Sequence, residues 1–211
     1  MQKFYRRRLP HLLRDGATYF VTFRLYGSVP MPVIKKLEET LRETELEISK
    51  LEIDEEEKRS LIDRARKIQF GRYDHYLDKP LNGPYWLAEE NVASQVFESL
   101  LFFHSSLIDL RCFCIMSNHV HALFTPTDSA PPLYNVMRRI KSYTGKYCNE
   151  MLGSNGNFWE RESYDHIIRN QREFNNVVKY ILNNPLKAGL VNNWREWRWS
   201  WLAPKLINLV K

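Results

Sequence analysis

The stretch LIDLRCFCIMSNHVHALFTP (residues 107–126) decides how this chain folds. It holds two apolar runs, 107–116 and 119–126, separated only by Ser117 and Asn118. A two-residue connection containing Asn between such runs predicts a hairpin of antiparallel strands. The second strand carries His119 and His121. Side chains alternate along a strand, so the two imidazoles share a face, about 7 Å apart along the backbone. Rings placed in this way can converge on one ion or one phosphate. They can equally be an unrelated pair on a solvated face, and the rest of the chain has to decide between the two.

Working outward, GATYFVTFRLYGSVP (16–30) predicts a first strand with Tyr19, Val21 and Phe23 on one face and Phe20, Thr22 and Arg24 on the other. From Met31 to about Lys67 the apolar period becomes helical, with Ile34, Leu37, Leu41, Ile48 and Leu51 in one stripe and Leu61, Ala65 and Ile68 in another. This predicts a charged helical hairpin broken around 53–58. YLDKPLNGPYWLA (76–88) has the punctuation of a loop, and 90–104 is a helix. Residues 131–152 form a basic amphipathic helix, 153–157 a loop, 158–170 a segment with a short strand, and 171–185 a helix ended by Pro185. The order strand, helices, two strands, helix, strand, helix is that of an α+β, ferredoxin-like split βαβ fold. It implies an antiparallel sheet with helices on one face and an inserted helical arm, 31–75, after the first strand. The 211 residues are expected to form a single domain, with 186–211 as a basic, Trp-rich C-terminal tail holding four of the six tryptophans.

The net charge of +6 is uneven. Residues 31–70 carry eleven acids and nine bases, which leaves the remainder at +8. Such a balance suits a polyanionic partner, nucleic acid above all. Three cysteines, Cys112, Cys114 and Cys148, make no disulfide framework or zinc-finger spacing and read as reduced core thiols. The basic N-terminus has no apolar stretch behind it, and no run approaches the ~18 apolar residues of a membrane span. A cytoplasmic location, away from any membrane, is therefore expected.

A site built on His119 and His121 needs a further ligand and a reactive group. The helix at 171–185 offers Tyr180 and Asn184, one turn apart on one face. Tyrosine can act as a nucleophile, and an amide oxygen can complete a metal site. The same two residues also fit a half-buried aromatic and a helix terminus before proline.

Six segments of the chain, in order, resemble the REP-associated tyrosine transposases of the HUH endonuclease superfamily, relatives of the single-tyrosine transposases of small insertion sequences. They are RRLPHLLRDGATYFVTFRL, LDKPLNGPYWLAEENVASQV, MSNHVHALF, RRIKSYTGKY, FWERESYDHIIRN and YILNNPLKAGLV. The resemblance implies that His119, His121 and Asn184 bind a divalent metal ion, Mg²⁺ or Mn²⁺, and that Tyr180 is the nucleophile. It further implies a metal-dependent, single-stranded DNA endonuclease and strand transferase that acts on hairpin DNA of the repetitive palindromic type through a 5′-phosphotyrosine intermediate. Single-stranded or hairpin DNA would be the partner, with Arg6, Arg7, Arg8, Arg138, Arg139, Lys141 and Lys146 as phosphate contacts. Relatives include both monomers and homodimers, so both states stay open. Two departures stand out: the 31–75 arm is longer than in compact relatives, and the tail reads WRWSWLA where many show a Trp followed by two serines. A catalytically silent DNA-hairpin-binding protein and a phosphoesterase that uses activated water are the alternatives.

Overall fold

A computed structural model describes residues 16–79 and 83–210 in full, and the backbone of 3–6 and 10–13. The chain divides into two compact units, residues 1–26 with 85–211, and residues 27–84.

The larger unit is built on a five-stranded sheet. Its strands are β3 (Tyr19–Arg24), β4 (Ile108–Ile115), β5 (His119–Pro126), β6 (Tyr164–Ile167) and β7 (Ser200–Leu202), in the order β6-β3-β5-β4-β7. Every neighbouring pair is antiparallel. Strands β3 to β6, with α3 (Glu90–Phe103) and α4 (Leu133–Leu152) between them, reproduce the expected α+β, ferredoxin-like arrangement. A separate two-stranded ribbon pairs β1 (Lys3–Arg6) with β2 (Pro10–Leu13).

Alternation sorts the sheet into two faces. Tyr19, Val21 and Phe23 join Val120, Ala122 and Phe124 on one side, buried under Val92, Val96 and Leu100 of α3 and Val136 and Ile140 of α4. Arg111 is an extra residue on β4, at the register shift between Leu110 and Cys112. This bulge re-phases the strand, so that Leu110, Phe113 and Ile115 all reach the same core. The opposite face carries Phe20 and Thr22, with His121 directly across from Thr22, and it is covered by α5 (Gln171–Lys187).

The expectation of helices on one face thus holds for α3 and α4 and is corrected for α5. The reason is the second apolar face. Phe20, Cys112, Cys114 and Leu123 would be left bare without Val178, Ile181 and Leu182 of α5, all of them buried. Nor does Pro185 end this helix, which runs on to Lys187 with Ala188 N–H bonded to the Asn184 carbonyl. A proline late in a helix forfeits only one bond, and the tight turn at Gly189 (φ +69°) completes the stop. Nor is the tail merely appended: Ser200–Leu202 extends the sheet along β4, Trp201 stacks on Phe113 at 5.9 Å, and Trp197 Nε1 donates to the Ile115 carbonyl.

The smaller unit is a helical hairpin of α1 (Met31–Ser49) and α2 (Glu55–Leu77). Asp54 caps α2 by accepting from Glu57 N–H at 2.8 Å, and Glu55, Glu56 and Glu57 complement its positive end. Val29, Ile34 and Leu77 form a small core at one end, with Tyr73 and Tyr76 packed against it. Along the hairpin Arg66 binds Glu45 at 2.8 Å and Gln69 donates to the Leu37 carbonyl. Among the described residues no helix is long and apolar enough to cross a membrane.

All three cysteines are free and buried. Burial pushes the Cys148 thiol up to about 12 and raises that of Cys112 further, with Cys114 adding to the effect on Cys112. The folded state therefore keeps protons that an unfolded thiol releases near pH ~8.5. This contribution to stability is intact below that pH and is lost as pH rises towards the folded values. Urea midpoints should fall between about pH 8.5 and pH 10.5, and fall less steeply in a Cys112→Ala/Cys148→Ala variant.

Candidate active site

The pairing of β3 with β5 places Thr22 opposite His121 and Arg24 opposite His119, all on the face covered by α5. His119 and His121 are 1% and 0% exposed. The His119 Nδ1–H donates to Asn118 Oδ1 at 2.6 Å, and His121 Nδ1 is bonded to the Thr22 hydroxyl at 2.7 Å. Each imidazole is held by its Nδ1, and the two Nε2 atoms face one another at 3.0 Å. With His119 Nδ1 protonated its Nε2 is a lone pair, so the short gap is bridged either by the His121 Nε2 proton or by a single cation.

Helix α5 brings the other two residues in. Asn170 caps its start by accepting from Glu173 N–H at 2.9 Å, and Glu173 in turn binds His166 of β6 and the Arg169 N–H, both at 2.9 Å. The helix is thereby tied to the edge of the sheet. Half-buried Tyr180 lies with its ring 5.5 Å from that of His121, and Phe20 packs edge-on against the Tyr180 ring at 5.7 Å. Phe20 also stacks on His121, with 27° between the planes. Lys187 extends its ammonium over the Tyr180 ring, 5.0 Å from the centroid. One turn on from Tyr180, Asn184 is fully buried. Its Nδ2 donates back to the Tyr180 carbonyl at 2.9 Å, and its Oδ1 has no hydrogen-bond partner among the described residues. Buried acceptors are rarely left in this state, and the cost is about 1–3 kcal/mol.

The face has a further charged element in Arg24, which the sequence places on this side of β3 without a role. Arg24 is 4% exposed and pairs with Glu160 at 3.2 Å, while the Glu160 N–H donates to the Arg24 carbonyl. Glu160, just ahead of the last strand, is the carboxylate that reaches β3. Thr22, Asn118 and Phe20, which orient the rings, were not singled out either. A cross-strand partner is visible only once register is known, although Asn118 directly precedes His119 in sequence.

The basic residues divide. Arg138, Arg139 and Lys146 are exposed on α4, and Lys146 lies 4.0 Å from Glu150. Lys141 instead reaches back to the Arg161 carbonyl at 2.9 Å and to Ser163 Oγ at 3.0 Å. Arg7 and Arg8 lie outside the described residues, as does the side chain of Arg6.

These strands and helices can now be set beside known proteins. Residues 90–184, from the start of α3 to Asn184, match the IS200-like transposase family model. The chain is similar to REP-associated tyrosine transposases. It is 25% identical over 92 residues to the REP-associated tyrosine transposase of Escherichia coli (strain K12), covering 44% of this chain and 53% of that protein. It is 26% identical over 96 residues to a putative REP-associated tyrosine transposase of Haemophilus influenzae, covering 41% of this chain and 54% of that protein. The matched region thus spans about half the length of either relative. A solved structure of a REP-associated tyrosine transposase bound to a REP hairpin aligns over 93% of this chain and 80% of that one, with 18% identity and a TM-score of 0.46.

The geometry makes one prediction that needs no substrate. Nitrogen NMR of the imidazoles should show His119 protonated at Nδ1, and Asn118→Ala should abolish that tautomer preference; a preference that survives the substitution would remove Asn118 as the orienting group.

Proposed function

We propose that the chain is a metal-dependent DNA endonuclease and strand transferase in which Tyr180 is the nucleophile and His119, His121 and Asn184 are the metal ligands. The observation that carries this reading is the buried His119 and His121 pair, with Nε2 atoms 3.0 Å apart, beside the Tyr180 ring, with the unpartnered amide oxygen of Asn184 one helical turn on from Tyr180. The similarity to transposases over residues 90–184 supports it independently.

The donor set suits a divalent ion. Both Nε2 atoms point into the same small space, 3.0 Å apart, and would supply two nitrogen ligands to one ion. Asn184 Oδ1 adds an oxygen ligand, and a mixed nitrogen and oxygen set of this kind accommodates Mn²⁺ and Mg²⁺. Asn118 and Thr22 fix the rings from behind, as the outer partners of metal-bound histidines do. When bound, such an ion supplies Lewis acidity that withdraws charge from a phosphate.

The chain's own residues do the rest. The Tyr180 oxygen attacks the phosphorus of a single-stranded phosphodiester, the bond from phosphorus to the 3′ oxygen breaks, and the strand leaves as a 3′-OH carrying the proton. The 5′ phosphate stays on Tyr180, and because the ester is conserved a second 3′-OH can reverse the step and join new ends. Lys187 adds positive charge beside the ring. Phe20 and the buried His121 limit water on the inner side, which protects the phosphotyrosine from hydrolysis. Exposed Arg138, Arg139 and Lys146 on α4 engage the DNA backbone, and Arg6, Arg7 and Arg8 of the N-terminal segment complete the proposed set. The names of the curated relatives favour hairpins of repetitive palindromic elements as substrate.

Incubation of the protein with such a hairpin bearing a single-stranded flank, with Mn²⁺, should yield a covalent protein–DNA adduct on a denaturing gel. Tyr180→Phe should lower adduct yield by at least a hundredfold while leaving hairpin binding intact; an undiminished yield would exclude Tyr180, and tight binding with no cleavage by the unaltered protein would favour a silent hairpin binder. Asn184→Ala should weaken Mn²⁺ binding, read by calorimetry, by about tenfold or more.

A further inference from the structure

Away from Tyr180, on the α4 side of the sheet, the larger unit contains a cleft of about 770 Å³ between α4 and the segment that leads into β6. One wall is a single face of α4, on which Tyr134, Arg138, Lys141, Gly145 and Asn149 follow one another at helical spacing. The other wall is the 156–163 segment, with Tyr26 beside it.

The two walls are fastened together at several levels. Asn149 Nδ2 donates to the Gly156 carbonyl at 2.9 Å at one end, and Lys141 binds the Arg161 carbonyl and Ser163 at the other. Between them Trp159 Nε1 donates to Thr144 Oγ1 at 2.7 Å. Gly145 permits this approach, because a Cβ there would stand 3.3 Å from Phe158 Cβ and 3.5 Å from the Trp159 ring. The segment is also sewn to the chain just beyond β3, since the Tyr26 N–H donates to the Phe158 carbonyl at 2.9 Å. A cleft bounded in this way is preformed, and its size falls within the range of small-ligand sites.

Its lining is specific in kind. Arg138, Lys146 and Arg161 bring exposed positive charge. Of the lining carboxylates, Glu160 is turned to Arg24, and Glu162 and Asp165 lie along the wall with interactions of their own. Asn157 and Ser142 add an amide and a hydroxyl group. Tyr26 is 51% exposed at the rim, and Tyr134 carries the Arg138 guanidinium over its ring at 5.9 Å. Cations for phosphates, exposed aromatic faces for stacking, and acceptors and amides for base edges are the requirements of a strand whose bases are unpaired. A duplex, with its edges engaged and its backbone outermost, would use only the cations.

We infer that this cleft binds unpaired nucleotides, stacked on Tyr26 and held at their phosphates by Arg138 and Arg161. The inference rests on the reading of the chain as a DNA-processing protein and gives that reading a second subsite. Glu160 links the two places: its side chain and backbone both bind Arg24, the residue paired with His119 across β3 and β5. A single strand held in the cleft is thereby fixed relative to the strand that carries the histidines.

The test is fluorescence anisotropy on the full chain, without added metal, with an unstructured labelled single strand and a duplex of equal length. The unaltered protein should prefer the single strand by at least tenfold. Tyr26→Ala and Arg161→Ala, both at exposed positions, should each lower single-strand affinity by about fivefold or more and change the ratio to duplex accordingly, with circular dichroism unchanged. No preference in the unaltered protein, or a preference that neither substitution reduces, would overturn the inference. Adduct formation with cleft-independent binding would refute the cleft alone, whereas cleft-dependent binding with no adduct would refute the nuclease reading alone.

Discussion

Antiparallel pairing of β3 with β5 is the constraint from which the rest of the larger unit follows. The register that sets Thr22 against His121 and Arg24 against His119 turns Val21, Phe23, Val120 and Ala122 into the core beneath α3 and α4. A slip of one residue would exchange the faces, burying two imidazoles in that core and stripping it of its aliphatic side chains. Because the apolar cost of such a slip is large, the histidines are held on the α5 face by the hydrophobic effect acting on their neighbours. Their own hydrogen bonds, to Asn118 and Thr22, then fix only the ring orientation.

That division explains why the site can afford unfinished chemistry. The unpartnered Asn184 oxygen is unfavourable in a dry interior, where a lost bond costs about 1–3 kcal/mol. The opposite face, with Phe113, Phe124, Val96 and Ile140 all buried, bears the burden of stability. Helix α5 is held at its N-terminus by Asn170 and Glu173, and by Ile181 and Leu182 in its apolar stripe, so Tyr180 is presented on an element that does not depend on the site itself. Local departures from good packing are where a proposed catalytic centre belongs.

Much of this was legible in the sequence, for physical reasons that differ by element. The alternation in 19–24 and 119–126, the two-residue connection at Ser117 and Asn118, and the i, i+4 spacing of Tyr180 and Asn184 are local signals that survive into the fold. Features that depend on what lies across space were not legible. The bulge at Arg111 re-phases β4 without any Gly or Pro to mark it, and the side of the sheet taken by α5 is set by which face remained bare. The tail is visibly rich in tryptophan, but what those rings touch is set across space: Trp197 and Trp201 are spent on Ile115 and Phe113. In the same way Lys141, one of a basic series on α4, turned out to close a cleft, and Glu160 to anchor Arg24.

The central claim is that His119, His121 and Asn184 form one metal centre in front of Tyr180. Anomalous scattering from crystals soaked in Mn²⁺ addresses it most directly. The account predicts a single strong peak bonded to Nε2 of both histidines and to Asn184 Oδ1, on the side facing the Tyr180 ring. A peak elsewhere, or none at a concentration that saturates binding in solution, would contradict it.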